Sequence, residues 1–208
     1  MEGGFQVERF LSLLIGYLFG GLLTAEFVSR ACTGKSAREI GSHNPGMTNI
    51  MSHVGKLQGS IVLMGDILKT AAAMGISFLC FSRGAGTICV QYAGLGAVLG
   101  HNFPLWLRGR GGKGVTVTCT WMILGFGIWG VLSDLAGGIT VFLTGWLPLA
   151  AVVLAAAAIP MAFLTAGTEA GILVCISCGL MFSRHWHGLR RILRGEERTH
   201  LKLLKKRG

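Results

Sequence analysis

The stretch LAGGITVFLTGWLPLAAVVLAAAAIPMAFLTAGTEAGILVCISCGLMFS, Leu135–Ser183, holds a single charge, Glu169, in 49 residues. A transmembrane helix needs about 20 predominantly apolar residues, so the stretch has room for two spans or for three short ones. Charges on either side decide between them. Of the 19 Lys and Arg, 16 lie in three clusters. The first is Arg30, Lys35, Arg38 and Lys56; the second is Arg108, Arg110 and Lys113; the third is the tail from Arg184 to Arg207. Cytoplasmic loops accumulate Lys and Arg, so all three clusters are expected on the cytoplasmic side. The second and third share a side only if an even number of spans separates them. One span, 114–133, precedes the quoted stretch, so the stretch must hold three.

Working outward, apolar runs at 10–28, 58–82 and 85–104 supply the other spans. The expected fold is an all-α integral membrane protein with seven transmembrane helices, N-terminus outside and C-terminus cytoplasmic. It forms one polytopic domain, 1–208, with a basic cytoplasmic tail at 184–208. Pro148 and Pro160 are expected to mark breaks. Five spans, with one merged long helix or a re-entrant pair, is the alternative. Composition agrees: 51% of the residues are hydrophobic and 13% charged, against about a quarter charged in soluble domains. The first apolar run is not read as a signal peptide, because further spans and a polar motif follow it. Six cysteines give no disulfide framework; Cys175 and Cys178 are read as small residues packed in a helix. The net charge of +10 is assigned to topology and to anionic lipid at the tail, with no nucleic-acid partner.

Three polar stretches fall on the inferred cytoplasmic side. GHNFPLWLRGRGGKG, Gly100–Gly114, is the most informative. Its glycines free the backbone to aim successive N–H groups into one concavity, a nest for oxyanions, and Lys113 adds a full charge. It also precedes an apolar helix whose dipole favours an anion. It is not a nucleotide P-loop, since Gly114 stands where Ser or Thr belongs. A flexible basic loop is the alternative. REIGSHNPGMTN, residues 38–49, gathers Ser42, Asn44, Thr48 and Asn49 around Gly41 and Gly46, with Arg38 one turn before Ser42. Such small donors and acceptors suit a phosphorylated polyol; an ordinary capped loop is the alternative. RHWHGLRRILRGEE, residues 184–197, places His185 where the last span meets the cytoplasm. Asp66 and Lys69 lie three apart inside the second span and are read as a structural ion pair.

Together the stretches resemble the bacterial acyl-phosphate–glycerol-3-phosphate acyltransferases, the PlsY family. GSHNPGMTNIMS matches the family's GSGNxGATNxxR, GHNFPLWLRGRGGKGV its GHxFPxxLxxxGGKGV, and HWHGLRRILRGEE, in part, its HxxNxxRxxxGxE. The resemblance implies a multi-pass bacterial plasma-membrane enzyme whose site faces the cytoplasm. It implies acyl transfer from acyl phosphate to glycerol 3-phosphate, giving 1-acylglycerol 3-phosphate, without metal or cofactor. Ser42, Thr48, Lys113 and His185 fall on the family's functional positions. Ser42, Lys113 and His185 are expected to be catalytic. Arg38, Asn44, Thr48, Asn49, His101, Asn102, Arg108, Gly111, Gly112 and Gly114 are expected to bind substrate. The chain departs from the family at Ser52, where an arginine is usual, at Gly188, where an asparagine is usual, and at His43 and Met47, which replace small residues. These departures motivate a second reading, a related acyltransferase with another acceptor or an inactive paralogue. A transporter is a third, disfavoured because the polar motifs cluster at one surface without an internal repeat.

Overall fold

The structure, a computed structural model, describes residues 2–197. Among the described residues the regular structure is entirely helical. The helices are α1 (Glu2–Gly21), α2 (Thr24–Thr33), α3 (Met47–His53), α4 (Lys56–Ala85), α5 (Ile88–Asn102), α6 (Val115–Phe126), α7 (Ile128–Thr144) and α8 (Leu147–Leu193). By length and composition three segments could cross a membrane unaided: Gln6–Thr33, Lys56–Ala85 and Leu147–Leu193. Val115–Phe126 and Ile128–Thr144 are shorter apolar helices. The chain forms two compact units, one ending at Trp121 and one beginning at Met122.

In the first unit α1 and α5 lie backbone against backbone. A side-chain carbon at Gly16 would stand 2.9 Å from the Ala97 amide nitrogen, and one at Gly96 3.0 Å from that of Tyr17. Gly20 abuts Ala97, and Gly100 abuts Tyr17 and Gly21. Each helix thus presents two glycines one turn apart, Gly16 and Gly20 on α1, Gly96 and Gly100 on α5. Lipid supplies no hydrophobic drive between helices, so close approach of this kind is what holds them. The expected first span, 10–28, is interrupted: α1 stops at Gly21 and the chain re-enters α2 at Thr24. The Lys69 ammonium donates to the Leu22 carbonyl at 3.0 Å, and Leu23 takes an extended conformation.

In the second unit, α6 ends at Gly127 (φ 58), inside the span expected at 114–133. There the chain reverses into α7, and Gly130 packs on the Met122 carbonyl. α8 is continuous over 47 residues except at Gly167, whose φ of 85 and ψ of 177 are not helical. A straight helix would separate residues 148 and 188 by about 60 Å. Yet a side-chain carbon at Gly188 would lie 2.5 Å from the Pro148 ring, and one at Gly171 2.5 Å from the Phe163 ring. The two limbs therefore fold back on each other around Gly167. Of the two expected proline breaks, Pro148 does sit at the start of α8, but Pro160 lies inside its first limb without breaking it. The reversal needs a positive φ with an extended ψ, which glycine adopts and proline cannot. The tail residues 198–208, to which the anionic-lipid reading applied, lie outside the described residues.

Candidate functional site

The 38–49 stretch is built from its flanks inward. Ser36 caps the turn Ala37–Glu39: its hydroxyl accepts the Arg38 N–H at 3.2 Å, while Glu39 accepts the Ser36 N–H at 3.0 Å. Buried Glu26 on α2 receives the Ser36 hydroxyl at 2.9 Å and the Arg38 Nε–H at 3.0 Å. Arg38, expected to bind substrate, is thus anchored through Nε to a protein carboxylate. Asn49 is also a brace. Its amide donates to the carbonyls of Ala37 (3.1 Å) and Ile40 (2.9 Å) and accepts the Ser42 N–H (2.9 Å). What the turn exposes is Ser42, His43 and Thr48, with Asn44 half-buried.

The glycine-rich stretch corrects its sequence reading. Gly109 donates its N–H to Pro104 at 3.0 Å, Arg110 to Leu107 at 3.1 Å, Gly111 to Asn102 at 3.2 Å and Gly112 to His101 at 3.0 Å. Four consecutive amides are taken up by carbonyls of the same loop and of the α5 end, so they do not form an open anion nest. The bonds from Gly111 and Gly112 instead cap α5, whose last carbonyls lack helical partners, and those from Gly109 and Arg110 close the turn that follows it. The glycines are needed for close approach. A side-chain carbon at Gly111 would stand 2.6 Å from Pro104, and one at Gly114 (φ 81) 2.6 Å from the Asn102 amide oxygen. At Gly112 it would meet the His101 ring and lie 2.9 Å from the Pro45 carbonyl. Pro45 belongs to the first polar stretch, so this contact brings the first and second motifs together within one unit. Beyond it Lys113, half-buried, leads directly into the first turn of α6.

Beneath the loop lies a buried polar chain. Lys69 donates to Asp66 Oδ1 at 2.7 Å, and its ammonium stands 3.0 Å from His101 Nδ1. An ammonium has donors only, so His101 Nδ1 is the acceptor and the imidazole proton resides on Nε2, the atom that faces Gly112. Thr24 donates to the same Asp66 oxygen at 3.3 Å. The sequence expectation of an Asp66–Lys69 ion pair holds, and the pair extends into the loop. Asn102 is 0% exposed, and neither amide atom has a hydrogen bond to a described residue. Arg108 is exposed, in a left-handed conformation with φ 54. His185 belongs to the second unit, 3% exposed on α8, its Nδ1–H on the Met181 carbonyl at 3.0 Å. Gly188 is explained there by packing: the Pro148 ring occupies the space a side chain would need. Sequence reasoning missed Glu26 and Pro45. Glu26 carried a signal, a lone acid in an otherwise apolar and basic segment; Pro45 carried none.

A family model described as Glycerol-3-phosphate acyltransferase matches residues 10–195. Glycerol-3-phosphate acyltransferase 1 of Lactobacillus johnsonii is 39% identical over 117 residues, 56% of each chain, so this chain spans about half the length of that relative. The glycerol-3-phosphate acyltransferase of Tolumonas auensis is 34% identical over 184 residues, 88% of each chain. Among solved structures, the integral membrane glycerol 3-phosphate acyltransferase PlsY in its glycerol 3-phosphate form superposes with a TM-score of 0.81 at 24% identity. That superposition covers 94% of this chain and 98% of the other. A lysophosphatidic acid form of PlsY gives 0.79 at 23% identity, covering 92% of this chain and 94% of the other.

Proposed function

The chain belongs to the glycerol-3-phosphate acyltransferase family, and from that premise we propose that it moves a fatty acyl group from acyl phosphate to glycerol 3-phosphate. The product is 1-acylglycerol 3-phosphate, lysophosphatidic acid, made for phospholipid synthesis. The enzyme crosses a bacterial plasma membrane seven times, by α1, α4, α5, α6, α7 and the two limbs of α8, as one polytopic domain. Its N-terminus is outside and its three basic clusters face the cytoplasm. The 12-residue α6 is short for a bilayer and is accommodated by local thinning. One observation carries the reading best: the Pro45–Gly112 contact, which sets Ser42 and Lys113 on neighbouring loops at the start of α6.

The chemistry suits those groups. An acyl phosphate is a mixed anhydride, already activated. The acceptor hydroxyl attacks its carbonyl carbon, a C–O ester bond forms, and the anhydride C–O bond breaks to release phosphate. The hydroxyl proton leaves with the departing phosphate. Lys113 and the first turn of α6 offset the charge that develops on that phosphate. Ser42 and His185 orient the acceptor hydroxyl and the acyl carbonyl, and Thr48 and Asn44 contact the polyol. Asn49, Gly111, Gly112, His101 and Arg38 serve by position, holding the two loops in register.

The test is to incubate purified protein, in detergent or nanodiscs, with palmitoyl phosphate and glycerol 3-phosphate. Lysophosphatidic acid and inorganic phosphate should appear in equal amounts. Product from acyl-CoA but none from acyl phosphate would overturn the donor; acylation of another polyol alone would overturn the acceptor.

A further inference from the structure

Two histidines belong to the first polar turn: His43, which departs from the motif the chain otherwise follows, and His53, one residue beyond that motif's end. His43 sits at φ 58, a left-handed conformation that costs a residue bearing a side chain roughly 1 kcal/mol. Its Nδ1 is 2.8 Å from the Arg38 carbonyl. His53, the last residue of α3, lies over Gly41, where any side chain would strike its ring. Its Nδ1 is 3.1 Å from the Asn49 carbonyl. A carbonyl only accepts, so both Nδ1 atoms carry protons. Each ring is thereby pinned by one nitrogen, and each Nε2 has no hydrogen bond to a described residue. Both side chains are exposed, as is Ser42. Strain that folding alone does not require collects at functional sites.

The surrounding charges favour an anion. Glu26 on α2 is answered by Arg38 and by Arg30, at 3.7 Å. Glu39 is turned toward the Ser36 amide. Lys56 opens α4 three residues after His53, and Lys113 belongs to the loop that meets Pro45. Cations therefore outnumber carboxylates around the turn, and the one arginine in it is anchored by Glu26.

We propose that His43 and His53 form the grip on the acceptor's phosphate, donating through Nε2 when protonated. This rests on the acyltransferase reading and names the group that recognises its acceptor.

The test compares the unaltered protein with His43→Gly, His53→Gln, the double variant, and the double variant carrying Ser52→Arg. Glycine suits the backbone at position 43, so losses there are not losses of fold; thermal melts check the others. The KM for glycerol 3-phosphate should be about tenfold higher in the double variant than in the unaltered protein. Adding Ser52→Arg should restore a low KM, since a guanidinium supplies the phosphate donors that the two imidazoles gave. Turnover at saturation should change less than KM. Calorimetric binding of glycerol 3-phosphate, measured alongside, separates this inference from the activity. Pair-dependent binding without any acylation would sink the acyltransferase reading and keep the grip. An unchanged KM and unchanged binding in the double variant, or no binding by the unaltered protein, would overturn the grip.

Discussion

Lys69 is the perturbation whose outcome the structure fixes most tightly. Its ammonium is held by the Asp66 carboxylate at 2.7 Å and by the Leu22 carbonyl and His101 Nδ1, each at 3.0 Å. The two side chains of the ion pair are 6% and 4% exposed. Removing one partner of a buried pair leaves the other charge uncompensated and costs about 3–5 kcal/mol. At about 2–4 °C per kcal/mol for a chain of this size, Lys69→Met should lower Tm by roughly 10 °C. Asp66→Asn should do comparable harm by stranding the ammonium. The double variant Asp66→Asn/Lys69→Met strands neither and should recover most of the loss, a coupling far beyond the few tenths of a kcal/mol seen for independent sites. Thermal unfolding of the four proteins in one detergent completes the cycle. Activity separates a second consequence. In the double variant His101 has lost the donor at Nδ1, its imidazole proton is no longer fixed on Nε2, and the Gly112 end of the loop loses its backing. Acyl transfer should therefore stay at least tenfold down while Tm recovers. Additive Tm shifts, or single variants within about 3 °C of the parent, would refute the buried-pair reasoning. Full activity in the recovered double variant would confine the pair to the fold.

Lys113→Ala should reduce turnover by about 10²–10³, as loss of a preorganised charge partner does, with an unchanged melt; near-normal turnover at saturating substrate would remove the lysine from the chemistry. Gly112→Ala should abolish transfer, because its methyl group would meet the His101 ring and the Pro45 carbonyl. Gly109→Ala meets nothing within 4 Å and should cost only the roughly 1 kcal/mol of a positive φ, read as a small Tm shift with activity kept. Single cysteines at Lys35, Arg110 and Arg194, in a cysteine-free background, should label from the cytoplasmic side, and one at Thr168 from outside. Any one of the four labelling from the opposite face would break the seven-crossing arrangement.

The helical membrane class and the site's two loops were legible, because charge exclusion from apolar runs and glycine with lysine at a helix start are local signals. α4 falls within two to three residues of its expected span for the same reason: Lys56 and Arg83 bound a largely apolar run. The reversal in α8 was misplaced because proline is the louder local signal. Pro160 is carried within its limb, while Gly167 supplies a backbone state that one glycine among 33 does not advertise. Lys69 reaching His101 spans 32 positions, and Arg38 reaching Glu26 spans 12. No periodicity encodes such pairings. The direction of the loop's amides was equally hidden. Glycine licenses a nest, but whether its N–H groups face a ligand or their own helix end is set by where α5 stops.

That direction alters what the glycines do. With the amides of residues 109–112 turned onto α5 and the adjacent turn, the loop is a joint and not a cradle. It lets the Pro45 carbonyl and the His101 ring approach a backbone that bears no side chain. On the proposed function, anion recognition then passes to side chains, Lys113 beside α6 and the imidazoles of His43 and His53. Backbone amides would bind phosphate alike at any pH, whereas side chains can be exchanged without refolding the loop. The substitutions that set this chain apart, His43 and Ser52, fall on that exposed side-chain layer. Asn49, Gly111 and Gly112 beneath it fix the geometry. If the proposed grip holds, acceptor affinity can therefore drift in this chain while the joint between the two motifs stays as it is.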